Sequence, residues 1–442
     1  MIRRALIAAI ASLSLGCSGV LWGEHSSLDT GRIQIENTKI DLVNASGLLS
    51  LSMTLIGTAP APVVNGLTLG ATQTLVSGNF AYVSYNVQGS TRVGALEVID
   101  ISNPYFPKSK SLITYTGYNV NAMAINGSRL YLVGAQGDNI NPPSYLRVLN
   151  LNPLTGLPTT EAALVYLPSY VANAVLVTSN FIFVSTGDNG GLSIVNNTNY
   201  TVLGQSNIYD SRALSMPTFT NALLVLGAQN GRVLAYNPAA LSTSATGQTP
   251  APTVSKALGG ATIPESKGTL QSGVYFTVAA IGDGGFSIMC NTDGRVLQTQ
   301  TPYPDATVPA GRNVTNAATI DNGLLYAGNG EGGVQVYSLQ YANILSNGCD
   351  SLTLNRLGKI GFGSGISVNH VFARNNLLYV ASGVSGLKIV SVSPPLLSNL
   401  VKDLNLTLVD FVTAPVVNIL TGGGSTWLSP STNRTVGGTS YW

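Results

Sequence analysis

One phrase recurs along this chain at intervals of about fifty residues, and that spacing limits the folds open to it. The phrase is an apolar strand, a glycine-rich turn and a second apolar strand. It reads "FAYVSYNVQGSTRVGALEVID" from Phe80, "RLYLVGAQGDNINPPSYLRVLNL" from Arg129 and "FIFVSTGDNGGLSIV" from Phe181. It returns as "ALLVLGAQNGRVLAY" from Ala222, "YFTVAAIGDGGFSIM" from Tyr275, "LLYAGNGEGGVQVYS" from Leu324 and "LLYVASGVSGLKIVSVS" from Leu377. An aromatic residue or Leu in the first strand provides a common anchor: Tyr82, Tyr131, Phe183, Leu224, Phe276, Tyr326 and Tyr379. The steps between anchors are 49, 52, 41, 52, 50 and 53 residues. In the last two copies a glycine follows the anchor by four residues (Gly330, Gly383) and another by seven (Gly333, Gly386).

Each anchor strand has an apolar partner upstream, joined by a short turn such as "SGN" (77–79), "NGS" (126–128), "DNG" (321–323) or "RNN" (374–376). Asn and Gly tolerate the positive φ that tight hairpins need. Each unit therefore supplies three strands, and segments such as "LNRLGKIGFG" (354–363) can form a fourth. Four antiparallel strands repeated seven times predict an all-β chain, a seven-bladed β-propeller over residues 48–393. A blade cannot bury both faces alone, so the ring has to close. The last repeat lacks a fourth strand, and "LLSLSMTLIG" (48–57) is the N-terminal strand expected to complete it.

The exit of the third strand, "ALEVIDISNP", resembles the LVIVD repeat, a body of the form L-x-I-V-D-V-S-N-P after a glycine-rich turn. "GLKIVSVSPP" and "YLRVLNLNP" are further matches, whereas "GRVLAYNPA" and "GGFSIMCNTDG" lose the Asp. The resemblance implies a propeller on exported or surface proteins of bacteria and archaea, and it carries over no catalytic residues. A WD40 pattern is not met, because no Trp lies between Trp22 and Trp427.

Outside the repeat, residues 1–23 read as an export signal, with Arg3 and Arg4 before an apolar run from Ala5 to Leu15. Cys17 follows small residues in the manner of a bacterial lipobox; lipidation at Cys17 and ordinary signal cleavage are both open. Residues 24–47 form a lead-in. Residues 394–442 leave the repeat as a C-terminal extension: "LLSNLVKDLNLTLVDFV" has helical spacing, and the Gly/Ser/Thr-rich remainder ends in Tyr441 and Trp442. Export permits a disulfide between Cys290 and Cys349, with two buried thiols as the alternative.

Charged residues make up only 9% of the chain, against about 25% in ordinary soluble domains. The net charge of +2 leaves no basic footprint for nucleic acid. No transmembrane span is expected in the mature chain, and the only membrane tie would be a lipid anchor. His25 and His370 are the sole histidines and no CxxC occurs, so neither a metal nor another cofactor is expected. "GDNGG" (187–191), "GDGG" (282–285) and "GNGEGG" (328–333) offer one carboxylate each, too few for calcium unless loops converge.

The most regular polar feature is an Asn ten residues before the anchor, at Asn121, Asn173, Asn316 and Asn369. This is the start of the innermost strand, near the channel mouth. The four amides could hold a ligand there, or each could bind backbone, as Asn does at strand ends. His370 stands where the other copies have Ala122, Ala174 and Ala317. Low charge, the export signal and the absence of a titratable constellation point to a non-enzymatic, cell-surface or secreted binding module for a surface protein or glycan. A self-assembling surface component joined through its C-terminal tail is the alternative. A hydrolase or lyase with a site at the channel mouth is the third reading.

Overall fold

The computed structural model describes residues 25–28, 31–42, 51–393 and two short strands, Thr435–Val436 and Thr439–Ser440. Within that range it leaves out 88, 90, 138–140, 188–189, 218–219, 228–230, 243–249, 259–266, 310, 343–348 and 350. The expected export signal with Cys17, and the expected helix after 394, lie outside the described residues.

The chain is a seven-bladed β-propeller. Its innermost strands are Gly70–Ser77, Tyr118–Asn126, Ala174–Val177, Ser211–Ser215, Thr269–Ser272, Ala317–Asp321 and His370–Arg374, in blades 1 to 7. The strands of each blade run antiparallel in sequence order from the axis outward, except that blade 7 takes its fourth strand from the N-terminal side. The hairpins after the innermost strands turn as expected, with positive φ at Gly78, Gly127, Asn322, Asn375 and Asn376. At 178–180 the side chain helps instead, for Thr178 Oγ1 accepts the Phe181 amide at 3.0 Å.

The recurring anchor has a packing reason. Seven apolar clusters fill the seven interfaces between blades, and each anchor packs toward the blade that follows. Tyr82 meets Met123 and Leu132, Tyr131 meets Ile182 and Val184, and Phe183 meets Leu214 and Val225. Leu224, Phe276, Tyr326 and Tyr379 sit likewise in the four remaining interfaces. Two tyrosines also bond outward across the seam: Tyr82 Oη donates to Gly156 O at 2.9 Å, and Tyr131 Oη to Asn197 Oδ1 at 2.8 Å. The repeat length is thus the length of chain needed to present one such anchor per blade.

Ser52–Ala59 closes the ring, pairing antiparallel with Leu387–Ser393. It lies slightly later than the stretch expected from sequence. The lead-in adds more than the sequence suggested. Gln34–Ile40 pairs outside Ser52–Ala59 as a fifth strand of blade 7, and His25–Leu28 pairs outside Lys108–Thr116 as a fifth strand of blade 1. Between these two strands Arg32 reaches Glu97 of blade 1 at 3.1 Å and also bonds Pro60 O. Glu97 is fully buried and accepts Tyr85 Oη at 2.8 Å and Ser109 Oγ at 2.6 Å, so its charge is satisfied on all sides. The N-terminal segment therefore staples the outer rim across the same seam that the closing strand locks from within.

Cys290, at the end of the third strand of blade 5, forms a disulfide with Cys349 in the outer turn of blade 6, Cα–Cα 5.7 Å. Both cysteines are buried.

The glycine seven residues after the anchor is required twice over at Gly386. Its φ is +80°, and a Cβ there would overlap Ala59 O of the closing strand. Gly333 stands in the same way against Ile360 O in blade 6. Gly386→Ala should lower the free energy of unfolding by at least about 1–3 kcal/mol, read by equilibrium urea denaturation. Wild-type stability in that variant would mean that the turn has room the backbone does not show.

Candidate functional site

The innermost strands all start at one end of the channel, and there the ring opens into a cup of about 1110 Å³ lined by residues from all seven blades. Seven residues mark this level on the wall: Thr72, Asn121, Asn173, Arg212, Lys267, Asn316 and Asn369, one per blade. The four sequence-predicted asparagines are therefore brought together on one ring. His370, next to Asn369, is not among the residues lining the cup.

Most of the ring is committed to holding blades together. Asn121 Nδ2 donates to Ala172 O at 3.1 Å, Asn316 Nδ2 to Val368 O at 2.9 Å and Asn369 Nδ2 to Ala71 O at 2.9 Å. Thr72 Oγ1 does the same to Val120 O at 2.9 Å. In every case the acceptor is the carbonyl just before the ring residue of the next blade. An amide suits the task because it fixes a strand end against a neighbour without introducing charge. Lower in the channel, side chains also satisfy the strand-edge amides of the following blade: Ser272 N bonds Ser215 Oγ at 3.0 Å, Ile320 N bonds Gln271 Oε1 at 3.2 Å and Ala373 N bonds Thr319 Oγ1 at 3.2 Å.

The girdle is interrupted between blades 3 and 5. The Asn173 amide has no hydrogen-bond partner among the described residues, although it lines the cup. On blade 4, Arg212 replaces the asparagine and is gripped side-on by the buried Asp210, Nε–Oδ1 3.0 Å and Nη2–Oδ2 2.9 Å. Blade 5 contributes Lys267. Blade 6 adds Arg312, paired to Glu331 at 2.9 Å. Five charged side chains from three neighbouring blades thus line the cup of a protein with few charges anywhere.

Lys267 crosses the channel. Its Nζ donates to Thr72 O at 2.7 Å and lies 3.4 Å from Asn121 O, on the wall opposite blade 5. The side chain is a bar across the floor of the cup. It makes no ion pair among the described residues. Burial away from water pushes its amine down to about 8. His370 lies close to this bar. Burial, and then the Lys267 charge, hold its imidazole well below the usual histidine range, so it is neutral. Its Nδ1 is buried without a hydrogen-bond partner.

Among the described residues no three His, Cys, Asp or Glu side chains come together to hold a metal. Asp283 and Glu331 sit in separate turns of blades 5 and 6, and Asp188 lies outside the described residues. No helix among the described residues is long and apolar enough to cross a membrane.

Sequence reasoning found the amides and missed Arg212 and Lys267. Both stand at the ring level, but the hairpin of blade 4 is longer than the others and moves Arg212 twelve residues ahead of Leu224. A signal was present. In so uncharged a chain, a cation at the start of an innermost strand is an exception to the repeat.

No protein-family model matches the sequence, and no curated protein matches it. Among solved structures the chain is similar to the WD40 repeats of RRP9, at 11% identity and a TM-score of 0.51, over 76% of this chain and 99% of that one. It is similar also to U3-55K, at 11% identity and a TM-score of 0.50, over 75% of this chain and 98% of that one. At such identity the likeness is one of fold, and what it identifies is the β-propeller.

Proposed function

We propose that this chain is an exported, cell-surface propeller of the LVIVD-repeat kind that works as a non-enzymatic binding module, with its ligand at the channel mouth. The observation that carries the reading is the gathering of Asp210, Arg212, Lys267, Arg312 and Glu331 around one cup. The rest of the molecule keeps its surface polar mainly with uncharged groups. Charges set in a concave, partly dry site interact more strongly than on an open face. The export reading is supported by the basic start and short apolar run of residues 1–23.

The test is crosslinking on intact host cells with the full chain and with Val384→Trp. Val384 lines the cup and is 61% exposed, so a large ring there obstructs the mouth without entering the core. Wild type should capture a surface protein or glycan, and the variant should lose at least about tenfold of that capture, the loss expected from a blocked pocket. Undiminished capture by the variant, coupled with loss on deletion of 394–442, would replace this reading with assembly through the tail.

A further inference from the structure

The cup carries more positive than negative charge among its described residues. Three cations, Arg212, Lys267 and Arg312, stand against two carboxylates, Asp210 and Glu331. The two arginines each have their carboxylate. Lys267 has two backbone carbonyls, which satisfy protons but do not neutralise charge. A desolvated ammonium at the floor of an open cup is stabilised by an anion from outside.

Two further features say what else that anion should carry. Tyr170 lines the mouth and is 65% exposed, offering a flat apolar ring face at the rim. Asn173, the one ring amide outside the girdle, presents both a donor and an acceptor to the cup. A hydroxyl-rich ring with one carboxylate matches all three: carboxylate to the ammonium, hydroxyls to the amide, and the C–H face of the ring to the aromatic side chain. The volume exceeds what one such ring needs and leaves room for a second.

We propose that the cup binds an acidic sugar, a uronic-acid residue whose carboxylate meets Lys267 and whose ring lies against Tyr170. The proposal rests on the reading of the channel mouth as the ligand site. Lys267 is met by the Thr72 and Asn121 carbonyls and lies close to neutral His370 from blade 7, and the Asp210–Arg212 pair from blade 4 and the Arg312–Glu331 pair from blade 6 line the same cup. The Lys267 proton is held weakly enough to be lost in mildly alkaline solution.

Isothermal titration of the intact protein with D-glucuronate, D-glucose and acetate tests it. Glucuronate should bind at least about tenfold more tightly than either control, since each control lacks one of the two recognised parts. Lys267→Met should lose about tenfold or more for glucuronate and nothing for glucose, and Tyr170→Ala should weaken glucuronate and leave acetate unchanged. As pH rises above about 8 the amine of the free protein loses its proton, so wild-type affinity for glucuronate should fall and level off near that of Lys267→Met, which stays flat. A melting temperature for Lys267→Met at or above that of wild type shows that the fold is intact.

Glucose binding as tightly as glucuronate would remove the carboxylate from the proposal, and acetate doing so would remove the sugar. Unchanged glucuronate affinity in Lys267→Met would overturn the assignment of the amine. If none of the three probes binds while Val384→Trp still abolishes capture on cells, the acidic sugar is wrong and the mouth remains the site.

Discussion

A chain that begins at residue 60 should not form a stable propeller. Without Ser52–Ala59, blade 7 keeps three strands, and Leu387–Ser393 becomes an open edge beside blade 1. Met53 and Ile56 are buried in the two interfaces that flank blade 7. Burying two such side chains contributes about 3–6 kcal/mol, and the lost ladder adds roughly 0.5–1.5 kcal/mol per hydrogen bond. That sum rivals the whole stability of a typical domain, about 5–15 kcal/mol. The truncated chain should be recovered aggregated or without a cooperative melt. A circular permutant that starts near residue 62 and ends with 393, a short turn and 51–61 should restore the melt, because it gives blade 7 the same hairpin the other blades have. Scanning calorimetry on both chains decides it. A truncated protein melting like wild type would show that closure is not what holds the ring.

The second large effect is expected from the disulfide. Cys290 and Cys349 are 59 residues apart and join blades 5 and 6 within their apolar interface. Closing a loop of that length reduces the entropy of the unfolded chain by an amount worth about 4 kcal/mol in the chain-entropy model, with observed losses of about 2–5 kcal/mol. The Cys290→Ala, Cys349→Ala double variant should lose stability in that range by guanidinium unfolding under oxidising conditions. The same denaturation of wild type with dithiothreitol should approach the variant, since the sulfurs become accessible only as the interface opens. A difference within about 0.5 kcal/mol would mean that the unfolded chain is already held compact near this loop.

The propeller was legible in the sequence because packing enforces it: each interface needs one large anchor, and each tight return of the chain needs Gly or Asn. The closing strand was legible for a topological reason, since the seventh unit is one strand short. The outer strands at His25–Leu28 and Gln34–Ile40 were not. They add to the rim, where the residues of Gln34–Ile40 are mostly exposed, and such a strand writes no alternation of apolar and polar residues. The ring asparagines were legible as a pattern, and the structure shows why they repeat: three of the four stitch one blade to the next. Arg212 and Lys267 break that pattern, and a search for regularity passes over the positions where it fails. His370 drew notice through its rarity, yet it stands behind the cup beside Lys267, where its neutral ring lies close to a buried cation.

The third strand of blade 7 begins just after Gly383 and Val384 at the mouth and runs to Ser393. Its seven residues span roughly 23 Å at about 3.3 Å each, so Ser393, where the ring ends, stands at the end opposite the cup. The mouth and the end of the last blade strand are thus separated by the full depth of the ring. Copies of the ring held side by side would present the proposed ligand cups as an array. Weak capture of a single sugar would then add up to firm adhesion on a surface that repeats that sugar.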